Sequence, residues 1–391
     1  MHATPLGRTF DDALAGVPLG LFASLPRSDQ RLKAEEYVAG LLAAHGRKTL
    51  RNVAGQFGGF GGESQGARKQ SVHHFISGSS WEWEPVRRAL AVRADELLGP
   101  QAWVVRPTVV PKAGGHSVGV AEYFVPGLGR TVTGQQSFGA WLASPAAGTP
   151  VHWQLVLPAE WVEDPVRRQR AHIPAASRAL SLEENAGDVA LRAVRSLPGA
   201  PLPVVLDAPG LDPVRMGRHF GRAGVRLVQR VGERTRLRVD PQALPGHGGL
   251  PLAAGRLVAS LRRLWRPGAR GSLTMAVPVA LPGQPDGSGG QRLLVAQWPE
   301  SDLPAARLWL ADARLSPAEA LRLAALAEVV DRDDELTAAR VGLRDFAGRT
   351  FQGWHRHITL ASVAHLARVR AALPAPGAAP RGGGRLLLRA G

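Results

Sequence analysis

Four strand-like segments follow one another in the first half of the chain, and this succession constrains the fold more than any other feature of the sequence. They cover residues 103–105, 117–124, 130–138 and 151–157. Glycine or proline separates each segment from the next, which is typical of an antiparallel meander. A helical stretch near 188–196 then leads to a short apolar strand, 202–207, which ends in the carboxylate of Asp207. The pattern predicts a meander followed by a helix (213–221) and a further strand (226–231).

The first hundred residues have a different pattern, with helical spacing of apolar residues at 29–42, 48–57, 67–77 and 81–98. Glycine-rich turns separate these short helices. Basic residues cluster among them, namely Arg47, Lys48, Arg51, Arg68, Lys69, His73 and His74. Short helices with clustered basic side chains favour a helix-turn-helix-like DNA-binding domain over residues 1–98.

The second half contains a segment, 232–290, that is rich in Pro, Gly and Arg. Helical or strand signal is weak there outside 255–265, so the segment is interpreted as an insertion. Ser316 and Glu319 form a capping box with proline at the first helical position, which predicts a long helix running past Asp331. Residues 373–391 form a Pro/Gly/Arg tail that is predicted to be disordered.

The charge of the chain is strongly positive, with 48 Lys and Arg against 32 Asp and Glu, a formal net charge of +16. Much of the excess lies between residues 213 and 270, and Arg262, Arg263 and Arg266 belong to it. Arginine forks suit phosphate oxygens, so these three are candidate DNA contacts. Trp265, among them, is a candidate for stacking on a base.

Several classes of protein are excluded by composition. No stretch supplies the roughly 18 uncharged apolar residues of a membrane span, and no secretory signal is visible, so we expect a cytoplasmic protein with no membrane partner. The chain has no cysteine, which excludes disulfide scaffolds, thiolate zinc sites and cysteine nucleophiles. His355 and His357 do not share a helical face, which favours a structural or DNA-backbone role over metal binding.

Several longer motifs carry a family resemblance. They are Pro-Arg-Ser-Asp-Gln-Arg at 26–31, Ser-Val-His-His-Phe-Ile-Ser at 71–77, Trp-Glu-Trp at 81–83, Pro-Lys-Ala-Gly-Gly-His-Ser-Val-Gly-Val at 111–120, Leu-Pro-Ala-Glu-Trp at 157–161, Val-Leu-Asp at 205–207 and the stretch from Val-Gly-Leu at 341 to Gly-Trp-His-Arg-His-Ile-Thr-Leu at 353–360. In these stretches, which span about residues 25–370, the chain resembles the DDE-type insertion-sequence transposases.

The resemblance implies an α/β fold, a ribonuclease-H-like mixed sheet flanked by helices. Residues 99–231 and 291–372 would form its two parts, on either side of the insertion and after the N-terminal helical domain. Double-stranded DNA is the implied partner, with a nucleoid-associated location, and a homodimer is left open.

The metal-binding triad of the family carries over incompletely. In those transposases three carboxylates hold two divalent ions, about 3.5 to 4 Å apart. The first aspartate corresponds to Arg106, the second to Asp207 and the third acid, a glutamate, to Asp331; Glu328, three residues earlier, is a possible substitute on the same helical face. A guanidinium cannot ligate a metal. We therefore expect Arg106 to pair with Asp207 and no metal or other cofactor to bind.

Three functions remain open at the level of sequence. The first is a transposase-derived DNA-binding protein without nuclease chemistry, which acts as a sequence-specific binder or regulator. The second is an active transposase that cleaves and joins DNA with Mg²⁺ held by Asp207, Asp331 and Glu328. The third is a structural or protein-interaction role in which the basic surface is incidental.

Overall fold

One mixed β-sheet organises the chain in this computed structural model. The structure describes residues 17, 20–56, 65–125, 128–239, 244, 250–268, 272–282, 291–298 and 307–373. Its strands are β1 (Ala102–Pro111), β2 (Val120–Val125), β3 (Arg130–Ala143), β4 (Gly148–Leu155), β5 (Val204–Leu206), β6 (Leu227–Val231), β7 (Arg236–Val239), β8 (Leu252–Ala253), β9 (Arg266–Pro267), β10 (Leu273–Ala280), β11 (Gln291–Trp298) and β12 (Arg307–Asp312). They lie in the order β2-β3-β1-β5-β6-β12-β11-β10-β7-β8, with β4 beside β3 and β9 beside β10.

The first four strands are antiparallel, but the predicted meander was wrong, because β3 and not β2 lies beside β1. Strand β3 pairs antiparallel with β1 along one edge, and with β2 and then β4 along the other. Strands β5 and β6 then add in parallel on the far side of β1. The mixed sheet with flanking helices is the architecture implied by the ribonuclease-H-like resemblance, and this expectation is confirmed.

Twelve α-helices are described around the sheet. They are α1 (Ser28–Ala43), α2 (Leu50–Ala54), α3 (Gln65–His73), α4 (Trp83–Leu98), α5 (Ala159–Glu163), α6 (Pro165–Arg170), α7 (Leu182–Val194), α8 (Pro213–Arg222), α9 (Ala254–Ser260), α10 (Pro317–Ala324), α11 (Leu326–Asp333) and α12 (Phe351–Ala372). The predicted capping box at Ser316 and Glu319 is confirmed at the start of α10. The predicted long helix is instead two helices, α10 and α11, followed by a π-helical turn, Asp334–Ala338.

Helix α12 lies at the centre of the fold, because most of its residues are buried on all sides. It packs against β4 and against α1 and α4 of the N-terminal helical region. One apolar core therefore joins those helices, the first four strands and α12. The division of the chain into domains remains a prediction.

The segment 232–290 contains more regular structure than its sequence suggested. Strand β10 pairs along its length with β11, and β11 in turn pairs with β12. Alternate residues Met275, Val277 and Val279 of β10 are buried in a second, smaller core that includes Leu257. The expectation of little strand signal was wrong, because Pro278 within β10 obscured a period-two pattern.

Strand β12 returns beside β6, where it pairs antiparallel. The insertion thus extends the same sheet that carries β1 and β5. No described helix is long and apolar enough to span a membrane.

Candidate active site

Arg106 and Asp207 lie side by side because β1 and β5 are parallel neighbours. Val105 is in register with Leu206, and the backbone N–H of Asp207 donates to the carbonyl of Val105 at 2.8 Å. The next residues, Arg106 on β1 and Asp207 directly after β5, therefore lie side by side and carry opposite charges. This adjacency agrees with the correspondence to the first two family acids.

The guanidinium of Arg106 nevertheless pairs with a different carboxylate. Its Nη1 lies 2.7 Å from Oδ1 of Asp331 on α11 and 3.6 Å from Oδ2 of Asp334 in the π-helical turn. The approach to Asp331 is close but is not aligned as a hydrogen bond, and Nε of Arg106 has no hydrogen-bond partner among the described residues. The expected pairing of Arg106 with Asp207 was wrong, because α11 and the π-helical turn after it each bring one acid to the guanidinium.

Asp207 is paired with another arginine. Nη1 of Arg230, on the neighbouring strand β6, donates to Oδ1 of Asp207 at 2.9 Å. Asp207 is buried, with its side chain 7% exposed, whereas that of Arg230 is 34% exposed. Asp207, which corresponds to the second acid of the family, is thus paired with an arginine on β6, whereas Arg106 lies on β1, the strand on its other side.

Electrostatics couple these two pairs. Burial raises the pKa of Asp331, and the charge of Asp207 raises it further, while Arg106, Arg307 and Arg230 oppose this. Arg106 lies beside Asp207 on the neighbouring strand and contacts Asp331, so the two carboxylates lie near one another. Asp331 is paired with Arg106 and Asp207 with Arg230, so each of the two carboxylates already has a guanidinium partner.

The remaining acids of this helix end also have partners. Asp334 accepts a hydrogen bond from Nη2 of Arg344 at 2.7 Å. Asp333 accepts from the backbone N–H of Gly148 at 2.7 Å, which ties the end of α11 to the start of β4. Glu328, the candidate substitute ligand, pairs with Arg307 on β12 at 2.7 Å.

The residues present do not fit a two-metal centre. A Mg²⁺ ion requires oxygen ligands at about 2.0 to 2.1 Å in nearly ideal octahedral geometry. Nη1 of Arg106 lies against the Asp331 carboxylate instead, and Arg230 lies against Asp207. Within the part of the chain that the structure describes, no three His, Asp or Glu side chains are grouped to hold a metal ion.

Sequence reasoning missed Arg230, Asp334 and Arg344 at this site. Arg230 and Arg344 resemble the many other arginines in composition, so no local pattern distinguished them. Asp334 offered one signal: it lies three residues after Asp331, the spacing of one helical turn.

The candidate DNA contacts are mostly accessible. Arg47, Arg51, Lys69, His73, His74, Arg262, Arg263 and Arg266 are exposed, and Arg68 is partly exposed. Lys48 is buried, and its ammonium donates to the carbonyl of Ala44, so its assignment as a DNA contact was wrong. Trp265 packs on Trp298, with the Arg262 guanidinium 5.6 Å from its ring centroid.

The histidines of α12 are structural. His357 lies between the hydroxyl of Tyr37 and the carbonyl of Gly342, each at 2.9 Å. His355 contacts the guanidinium of Arg87 at 3.1 Å. Both imidazoles are buried, and burial lowers the pKa of His357 to about 4, so it is neutral at pH 7. A direct contact with the DNA backbone is excluded by this burial.

A double-mutant cycle tests the pairing of Arg106 with Asp331. Arg106→Met leaves Asp331 without its cation, whereas Asp334 keeps Arg344, and Asp331→Leu leaves Arg106 without its nearest acid. Because both side chains are partly buried, we expect each single change to lower the free energy of unfolding by about 1 to 3 kcal/mol. The double change should cost less than the sum, with a coupling energy of about 1 to 2 kcal/mol.

The same cycle on Arg307 and Glu328 is the control, since that pair is more exposed. Its coupling should be below about 1 kcal/mol. Denaturant unfolding measures both cycles. Additive losses for Arg106 and Asp331 would show that the two side chains do not interact.

Comparison with known proteins agrees with this arrangement of elements. Residues 20–268 match the sequence model of a family described as DDE superfamily endonuclease. The match contains β1 and β5, and with them Arg106 and Asp207. No curated protein matches the chain.

Proposed function

Because the chain belongs to the DDE superfamily of endonucleases, we propose that it is a transposase-like protein that binds double-stranded DNA but has lost metal-dependent cleavage. The observation that carries this proposal is the 2.7 Å contact between Arg106 Nη1 and Asp331 Oδ1. A cation fixed in the protein there takes the place of part of the positive charge that metal ions supply in such centres.

The electrostatic balance supports the loss of cleavage. A site with three carboxylates offers three negative charges to two divalent ions. Here Asp207 and Asp331 provide two, and Arg106 and Arg230 cancel both. A metal ion would have to displace two guanidinium groups before it could bind.

The surface charge supports retention of DNA binding. The chain has a formal net charge of +16, and exposed arginines lie both on the N-terminal helices and at the 3₁₀ turn of the insertion, Arg262–Leu264. Phosphate contacts by Lys and Arg release condensed counterions, which makes such binding strong at low salt. A protein that binds transposon ends without cleaving them would compete with active transposases, which is the basis for a regulatory role.

We expect the affinity for duplex DNA to fall steeply with salt. Each phosphate contact contributes a slope of about −0.9 to the plot of log affinity against log salt. Arg68→Ala with Lys69→Ala should weaken binding and reduce the slope by about 1 to 2. Fluorescence anisotropy with a labelled duplex between about 50 and 300 mM salt measures both quantities.

Arg381→Ala with Arg385→Ala is the matched control, because it removes the same charge from the C-terminal segment, which lies outside the described residues. This change should affect affinity less. A slope near zero would favour the third function, in which the basic surface is incidental. Equal effects of the two double changes would remove the case for the N-terminal helices.

An active transposase remains the second candidate function, and one observation favours it. Asp207 and Asp331 still lie close enough for the charge of one to raise the pKa of the other. If substrate binding moved both arginines away, these acids and Glu328 would be the available ligands. Magnesium-dependent nicking of supercoiled DNA by the unmodified chain distinguishes this candidate.

A further inference from the structure

A pocket of about 550 Å³ lies over one face of β4, where His152 and Gln154 line it, away from the candidate active site. Helices α4, α7 and α12 enclose it. Its lining comprises Trp83, Glu84, Arg88, His152, Gln154, Arg192, Arg195, Ser196, Phe351 and His355. None of Arg106, Asp207 or Asp331 contributes to it, so the pocket is a separate feature of the fold.

The residues that line this pocket carry an excess of positive charge. Arg88, Arg192 and Arg195 line it, against the single carboxylate of Glu84. The guanidinium of the buried Arg87 lies directly behind, 3.4 Å from Glu84. An excess of this kind in a concave, partly enclosed site favours an anionic ligand.

Glu84 makes only long contacts with the cations around it. Arg87 and Arg192 approach its Oε1 at 3.4 and 3.5 Å, and His152 Nδ1 lies 3.7 Å from its Oε2. Close charge-assisted hydrogen bonds are about 2.7 to 2.9 Å long. One carboxylate is thus shared loosely among three groups, and Arg192 also makes only a 3.3 Å contact with Gln154.

His152 gives the second indication of a ligand. Its ring is fully buried at the floor of the pocket, and neither nitrogen has a hydrogen-bond partner in the described part of the chain. Burial, together with the charges of Arg87, Arg192 and Arg88, lowers its pKa well below the ordinary value, so the ring is neutral and carries one N–H. Buried polar groups without partners are costly and uncommon.

Aromatic side chains complete the pocket. Trp83 stacks on the imidazole of His355 with ring centroids 4.7 Å apart and planes 8° from parallel. Phe351 meets the same imidazole edge-on. Flat apolar surface beside arginine forks matches a ligand that joins a planar ring to a phosphate.

From these features we propose that the pocket binds a free nucleoside monophosphate. The phosphate lies among Arg88, Arg192 and Arg195, where it replaces the long contacts to Glu84, and it accepts the N–H of His152. The base lies against Trp83 and Phe351. A phosphate monoester carries about −1.5 to −2 charge at pH 7, which balances the excess of two positive charges in the lining.

Isothermal titration calorimetry of the full chain with AMP tests the proposal. We expect saturable binding at one site, and at least tenfold weaker binding of adenosine and of inorganic phosphate, since each has only half of the recognised chemistry. Arg192→Gln should lower the AMP affinity about tenfold or more, because one charge-assisted contact is lost. Arg88→Gln, at an exposed position, gives the same test if the first variant does not fold.

Two further variants distinguish binding of AMP in the pocket from effects of overall charge and of stability. Arg218→Gln removes an exposed arginine of α8 that does not line the pocket, and it should leave AMP affinity within about twofold. His152→Leu should weaken AMP binding while the melting temperature stays unchanged or rises, because an unpaired buried polar group is removed. If His152 had only a packing role, His152→Leu would leave the AMP affinity unchanged.

Three results would overturn the proposal. Equal affinities for inorganic phosphate and AMP would exclude recognition of the base. Equal losses in Arg192→Gln and Arg218→Gln would show that binding is not in the pocket. Displacement of AMP by a short duplex that binds the same arginines would assign the pocket to the DNA interface instead.

Discussion

Restoring acids at the candidate active site should create a Mn²⁺ site that the unmodified chain lacks. The change Arg106→Asp with Asp331→Glu removes the guanidinium on Asp331 and returns three negative charges to the site. It also adds the methylene by which Asp331 is shorter than the family glutamate. We expect Mn²⁺ affinity to rise at least tenfold over either single variant, because oxygen ligands near 2.0 to 2.2 Å become available.

Arg230 limits this gain, since it donates to Asp207 at 2.9 Å. Adding Arg230→Gln to the double variant should therefore raise the affinity further. Calorimetric titration with Mn²⁺ measures binding, and a plasmid-nicking assay measures any recovered cleavage. Arg167→Gln is the control, because Arg167 is a partly exposed arginine whose acidic partners are Glu160 and Asp164, not the acids of the candidate active site.

Cleavage of DNA by the unmodified chain would contradict the proposed loss of activity. If the unmodified chain nicks DNA in a Mg²⁺-dependent and chelator-sensitive way, and Asp207→Ala abolishes that activity, the protein is an active transposase with a rearranged set of carboxylates. If the triple variant, with Arg106→Asp, Asp331→Glu and Arg230→Gln, did not bind Mn²⁺ more tightly, the charge of the two arginines would not explain why the site fails to bind metal.

Arg87→Met should cause a large loss of stability. The side chain is completely buried and holds three elements together. Its Nε donates to Thr359 Oγ1 at 2.8 Å, its Nη1 to the carbonyl of Trp153 at 3.0 Å, and its Nη2 contacts His355 Nδ1 at 3.1 Å. Burial lowers its pKa to about 10, so it is charged at pH 7.

Methionine matches the length of the aliphatic stem but leaves these acceptors unpaired. Each buried acceptor without a partner costs about 1 to 3 kcal/mol, so we expect the free energy of unfolding to fall by about 3 to 5 kcal/mol. Arg88→Met, at the next and exposed position, should change it by no more than about 0.5 kcal/mol. Denaturant unfolding compares the two, and similar small changes in both would refute the structural role of Arg87.

The elements that could be predicted were those with local signals. Glycine and proline delimited the first four strands, although not their order in the sheet, and Asp207 followed an apolar strand directly. The capping box at Ser316 depends on residues within one helical turn. Such patterns are visible in sequence because the interacting atoms are close along the chain.

The ion pairs at the site had no local signal. Whether Arg106 meets Asp207 or Asp331 depends on how α11 docks against β1, which is fixed by contacts between distant residues. The bond from Gly148 to Asp333 is one such contact. Strand β10 was missed for another reason, since its alternating pattern was present but contained Pro278.

The pairing of β12 with β6 has a consequence for DNA selection. One continuous sheet joins the insertion, with Arg262 and Arg263, to the strands beside the N-terminal helices. Because paired strands link the two regions, a duplex that contacted both would have to adapt its own shape to their spacing. Sequences with flexible pyrimidine–purine steps deform at lower cost than stiff A-tracts. The protein would then discriminate among DNA sequences by their stiffness, at base pairs that no side chain touches.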